Sequence, residues 1–158
     1  MGFFGRRKAR IEAQGDGRYS LRLEEPEREL VTNLSEQLRS LLLDGESDVL
    51  TRLFPPAYAD DPEREAEYRD MVRDDLLASK LDALDIIEET ANATELTEEQ
   101  LLGWMAAVNS IRLVLGTILG IVEDDQELDL TDEQQATYHL FDYLGWLVSE
   151  IVEALSGR

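Results

Sequence analysis

Few side chains here have the chemistry of a catalyst. There is one histidine, His139, and no cysteine. A di-iron carboxylate bundle needs two Glu-x-x-His pairs, which one histidine cannot supply. Counting alone leaves room for a serine triad centred on His139, but there is no Gly-x-Ser-x-Gly elbow to carry the nucleophile. Nor is there a glycine-rich loop to cradle a phosphate. The missing cysteines remove disulfides, thiol redox chemistry, cysteine zinc sites and a cysteine nucleophile together. His139 is expected at the surface or boundary of the last helix. No catalytic, cofactor-binding or metal-binding residue is expected, and the chain reads as a non-enzyme.

Charge is the more informative feature. The formal charge is -20, with 35 acidic and 15 basic residues. Residues 1–22 nevertheless hold six basic residues, Arg6, Arg7, Lys8, Arg10, Arg18 and Arg22, against the acids Glu12 and Asp16. This basic arm is the candidate partner-binding element, suited to phosphates or to an acidic protein surface; its plainer role is to neutralise the acidic body. The rest of the chain repels nucleic acid and favours basic partners, so nucleic-acid binding through the arm is the second reading. Little aromatic interleaving supports base stacking there: Phe3 and Phe4 precede the arm, and Tyr19 is expected to face inward. The runs Asp60-Asp61, Asp74-Asp75 and Glu123-Asp124-Asp125 lack the spacing of a calcium loop. They read as solvated faces and helix N-termini, where the helix dipole favours negative charge.

Two further patterns invite a functional reading. Asn109, Arg112 and Gly116 share one face of a long apolar segment. The expectation is a buried polar pair, Asn109 and Arg112, with Arg112 matched to an acid because a desolvated guanidinium must be paired. Gly116 with Gly120 would then let another helix approach closely. Pro55-Pro56-Ala57-Tyr58 has the form of a WW-domain ligand, but a rigid corner with Tyr58 tucked into the core is the preferred reading.

The elements that would position these residues follow from periodicity. Ile11 and Ala13 alternate with polar residues, as do Tyr19, Leu21 and Leu23, around Gly15-Asp16-Gly17. A hairpin is expected with Ile11 opposite Leu21, Glu12 opposite Ser20, Ala13 opposite Tyr19 and Arg10 opposite Arg22. Gly17 would take the left-handed conformation of a bulged turn. A helix starts near Pro26, shows the stripe Leu30, Val31, Leu34, Leu38, Leu41 and Leu42, and ends at Asp44-Gly45. A short helix from about Asp48 to Leu53 follows, then the proline corner.

Asp61-Pro62 opens a long helix to about Thr90. Tyr68, Met71 and Val72 lie on one of its faces and Leu77, Leu81 and Leu84 on nearly the opposite one, so it should bend near Leu76 or touch two neighbours. Thr97 and Gln100 have capping-box spacing, with Leu96 stapling to Leu101. The helix they open runs to about Val122 and should be the most buried element. Its length and apolarity resemble a membrane span, but Arg112 at its centre would cost roughly 2.5–3.5 kcal/mol there, so a buried core helix is preferred. Thr131 and Gln134 cap a last helix to about Leu155, with the stripe Tyr138, Phe141, Leu144, Val148, Ile151, Val152 and Leu155. Glu123 to Leu130 is an acidic loop. Met71 and Met105, at helical positions, are expected to be packed and slow to oxidise.

The sum is an all-α bundle of four principal helices with a small N-terminal β-hairpin. One domain spans 1–158, with a hairpin arm over 8–23 and a bundle over 26–156. No apolar run follows the basic start, so no secretory signal is read and a cytoplasmic location is expected.

The order of parts resembles an actinobacterial family that includes oxidative-stress regulators of the AosR type. The likeness rests on the Gly-Asp-Gly hairpin and the Leu-rich helix, then Arg52-Leu53-Phe54-Pro55, Ala57-Tyr58, Asp60-Asp61-Pro62-Glu63 and Tyr68-Arg69. It continues with Trp104, Val108-Asn109, Ile111-Arg112-Leu113, Leu115-Gly116-Thr117, Glu123-Asp124, Tyr138 and Leu140-Phe141. The resemblance implies a cytoplasmic regulator that binds a protein partner, a sigma factor in the characterised branch. That branch uses a Cys-x-x-x-Cys switch, which no residue here can supply. The expected partner is therefore a protein, with no membrane and no cofactor involved, and a homodimer is left open.

Overall fold

The computed structural model describes residues 9–45, 47–121 and 129–157. In chain order the elements are β1 (Ile11–Ala13), β2 (Arg18–Leu21), α1 (Glu25–Asp44), a 3-10 helix (Asp48–Leu53), α2 (Pro62–Glu89), β3 (Glu95–Thr97), α3 (Glu98–Leu119) and α4 (Asp132–Leu155). The protein is mainly helical with a small antiparallel sheet, ordered β1-β2-β3.

The hairpin has the register that face-matching requires. Ile11 opposes Leu21, Glu12 opposes Ser20 and Ala13 opposes Tyr19. The Arg22 N–H donates to the Arg10 carbonyl at 2.7 Å, placing those two opposite each other. Gly15 and Gly17 both have positive φ, at 86° and 83°, so the turn depends on two residues without a Cβ. Ile11, Tyr19 and Leu21 face the core.

The third strand is a departure from the sequence reading, which has only a helix start there. Glu95–Thr97 pairs with β2, setting Leu96 opposite Tyr19. Leu96 and Leu101 are both buried. The strand has only one inward residue, so it carries no periodicity that a sequence could display. Thr97 ends it and also caps α3, accepting from the Gln100 N–H at 3.1 Å while the Gln100 side chain takes the Thr97 N–H at 2.9 Å. The same reciprocal cap opens α4 at Thr131 and Gln134.

α3 is the central element and the most buried, with Leu101, Trp104, Val108, Ile111 and Val114 among its core residues. It is the helix among the described residues that is long and apolar enough to cross a membrane by composition, and half of that stretch is buried in the fold. It packs against α2, α4, the 3-10 helix and the sheet. Gly103 allows the close approach of α2: a Cβ there would meet Ile86 Cδ1 at 2.5 Å. Trp104 donates its indole N–H to Thr90 Oγ1 at 2.7 Å, and that hydroxyl donates to the Ile86 carbonyl at 2.6 Å. A buried polar tip is thus satisfied at the end of α2.

Several sequence expectations need correction. α3 ends at Leu119 on Gly120, whose φ of 74° makes it a left-handed cap and not a point of close helix approach. Gly116 does serve close approach, since a Cβ there would lie 3.1 Å from both Arg52 Nη1 and Phe141 Cε1. On α4 the core face is Leu144, Leu147, Ile151 and Ala154, while Val152 is exposed. α2 is continuous, and before Ala83 none of its residues is fully buried. Leu77 and Leu81 pack at the edge of the core. Tyr58 is 40% exposed and Met71 77% exposed, so neither is a core residue. Among the described residues no helix buries the apolar face of the first half of α2, and the proline corner covers only part of it. The acidic loop expected over Glu123 to Leu130 falls mostly outside the described residues.

Candidate functional site

Of the six basic residues of the arm, Arg6, Arg7 and Lys8 lie outside the described residues. The other three each meet a carboxylate. Arg18 donates to Glu95 at 2.8 Å across the sheet, and Arg22 to Glu12 at 3.4 Å. Both are surface pairs, which contribute little to stability.

Arg10 differs. Its side chain is only 12% exposed, its Nε lies 3.0 Å from Glu27, and its backbone N–H donates to Glu150 at 2.9 Å. Glu27 also accepts the Tyr143 hydroxyl at 2.8 Å and the Glu24 N–H at 3.0 Å. One carboxylate therefore ties the hairpin, the start of α1 and α4 together. Burial alone would raise the Glu27 pKa, but the Glu24 N–H, the Tyr143 hydroxyl and Arg10 outweigh it and hold the group below the ordinary glutamate range. Burial and the Glu27 charge push the Tyr143 hydroxyl upward. Arg10 is thus engaged inside the fold.

Asn109 and Arg112 are half-buried. Among the described residues no carboxylate pairs with Arg112. Its guanidinium lies over the Phe141 ring, 4.9 Å from the centroid, a cation–π contact. Gly145 leaves the space, since a Cβ there would sit 3.2 Å from Arg112 Nε. His139 is exposed, as expected.

Arg28, which nothing in the sequence singles out, is a structural clamp. It donates to the carbonyls of Leu23 (3.0 Å), Ala91 (2.8 Å), Ala93 (2.9 Å) and Leu21 (3.2 Å). A cation is thereby set at the C-terminal end of α2, where the helix dipole favours it.

The surface with the most unspent chemistry is the proline corner with the first half of α2. Asp61 caps the helix, accepting from the Arg64 N–H at 3.3 Å. Glu65 reaches back and accepts the backbone N–H groups of Tyr58 (2.8 Å) and Ala57 (2.9 Å), while Arg69 donates to it at 3.1 Å. The Tyr58 N–H and these further donors hold the Glu65 carboxyl below its ordinary range, against the opposing effect of burial. The corner is therefore fastened to the helix.

Tyr58 meets Tyr68 edge-on with centroids 6.0 Å apart, and Arg64 lies over the Tyr58 ring at 5.1 Å. Arg73 stacks on Phe54 at 4.6 Å and donates to the Gly45 carbonyl at 3.2 Å. Tyr58, Arg64, Glu67, Tyr68, Met71 and Val72 line an open cleft of about 280 Å³. Among the described residues there is no group of three or more His, Asp or Glu placed to hold a metal ion.

The fold and this surface define a mainly helical protein whose most available feature is an aromatic and thioether ridge on a helix. The chain belongs to the family described as a domain of unknown function (DUF2017), which matches residues 7–155. No curated protein and no solved structure matches it.

Proposed function

We propose that this chain is a non-enzymatic, cytoplasmic regulator that acts by binding another protein. The observation that carries the reading is the ridge that Tyr58 of the proline corner forms with Tyr68 and Met71 on the first half of α2, where no described residue is buried in the core. Tyr, Met and Arg are the residue types enriched in protein interfaces, and here they sit on a helix and on a corner that Glu65 fastens to it, so little ordering is left to be done on binding. The likeness to AosR-type regulators adds a sigma factor in stress-linked transcription as the partner to test first. The chain has no cysteine, so a sensor of oxidation, if this role includes one, lies in the partner or in control of abundance.

The test is co-purification of the tagged full chain from its native host, followed by reconstitution with the purified partner. A saturable complex is expected. Finding no specific partner under either normal or oxidising conditions overturns the reading. With a partner stripped of its own cysteines, peroxide should leave the affinity unchanged once Met71 is replaced by Leu, which removes the exposed thioether.

A further inference from the structure

The exposed face of α2 has a charge as well as an apolar ridge. Tyr68, Met71 and Val72 follow one another at helical spacing, so they run along the helix axis as a ridge that a second helix can pack against. Glu67, Asp74 and Asp75 stand three or four residues from Met71 and flank it directly, with Asp70 at the edge. All four acids are exposed. None is paired with a cation among the described residues. The nearby arginines are already committed: Arg64 to the Tyr58 ring, Arg69 to Glu65, and Arg73 to Phe54 and the end of α1.

We propose that this face seats a basic amphipathic helix of a partner protein, with Tyr58, Tyr68, Met71 and Val72 as the apolar floor and Glu67, Asp70, Asp74 and Asp75 as the acidic rim. The inference rests on the protein-binding reading and adds where the partner docks and what its surface must be. The four unpaired carboxylates give the sign of the partner. An acidic helix would be repelled by them, and an uncharged one would leave the rim unused. The net charge of -20, whose acidic excess lies outside the basic residues 1–22, steers a basic partner toward the body of the molecule. The apolar floor then fixes where it lands.

The probe is a synthetic amphipathic helix of Leu and Lys, about 18 residues long, long enough to fold on contact. A Leu/Glu peptide of the same pattern is its control. Binding to the isotope-labelled full chain is followed by NMR at about 150 mM salt, where long-range attraction is screened. Saturable shifts are expected at Tyr58, Tyr68, Met71 and Val72 with the Leu/Lys peptide alone. Met71→Ser should weaken binding at least about tenfold, and the triple variant Glu67→Lys, Asp74→Lys, Asp75→Lys should abolish it. Reversing Asp132 and Glu133, exposed at the start of α4, should change affinity less than about twofold. All of these positions are exposed, so the fold should be kept, which circular dichroism checks.

Shifts centred elsewhere, equal binding of the Leu/Glu peptide, or indifference to Met71→Ser overturn the proposal. If the native partner is captured equally well by the triple variant, protein binding stands and this docking face falls. If the peptide seats here but no native partner exists, the face stands as a binding surface and the regulatory reading falls.

Discussion

Glu27 shows how much one side chain can organise. Its two oxygens serve Arg10 from the hairpin, Tyr143 from α4 and the N–H of Glu24 at the start of its own helix. Glu27→Gln keeps the size and removes the charge. Hydrogen bonds to charged groups are worth about 1.5–3 kcal/mol each, so a loss of roughly 2 kcal/mol is expected in denaturant unfolding. The pH dependence has a definite sign. Because the folded carboxyl titrates below its ordinary value, its contribution is complete above about pH 4.3 and is lost as pH falls through the folded value. The difference in Tm between wild type and Glu27→Gln should therefore be constant near neutrality and shrink in acid. A difference that grew on acidification would contradict the assigned role.

At the scale of elements, the packing of α2 on α3 turns on Gly103. A Cβ at that position would meet Ile86 Cδ1 at 2.5 Å, Cγ2 at 3.1 Å and Cβ at 3.2 Å. The Cδ1 atom can swing away, but Cγ2 and Cβ belong to a stiff β-branched side chain. Gly103→Ala would gain about 1 kcal/mol of helix propensity if the site were open. Overpacking of this kind costs about 1–3 kcal/mol, so the net effect should be destabilising. Adding Ile86→Ala should make Gly103→Ala harmless or favourable, a coupling that a double-mutant cycle measures. Additive behaviour of the two changes would mean that the helices meet elsewhere. Because Trp104 and Thr90 lie in the same contact, Trp fluorescence reports the same event.

For the whole molecule, the excess of 20 negative charges makes self-repulsion a standing cost of compaction. The ion pairs at Arg18, Arg22 and Arg69 are all on the surface and contribute little. Screening should therefore help more than it harms, and Tm should rise as sodium chloride is raised from about 0.01 to 0.5 M, where the Debye length falls from about 30 Å to a few ångström. A falling Tm over that range would mean that the ion pairs outweigh the repulsion. By the same principle, the association of the Leu/Lys peptide with α2 should slow with salt while its apolar contacts persist.

Much of this protein was settled by local sequence. The caps at Thr97 and Thr131, the proline that opens α2, the glycine that ends α1 and the alternation in the hairpin each act over a few residues. The helices and the hairpin register could accordingly be read directly, and α3 could be identified as the central helix from its apolar content. The tertiary structure decided whatever depends on distant neighbours. Leu96 is in a strand because Tyr19 lies beside it. Arg28 is a clamp because the loop after α2 brings its carbonyls there. Arg112 rests on a ring because α4 supplies Phe141. Met71 and Tyr58 are apolar residues at helix and corner positions that suit a core, and their exposure was not legible, because a stripe specifies a face that wants covering and not whether the chain provides the cover. Among the described residues that cover is missing, which leaves the acid-rimmed ridge of α2 open.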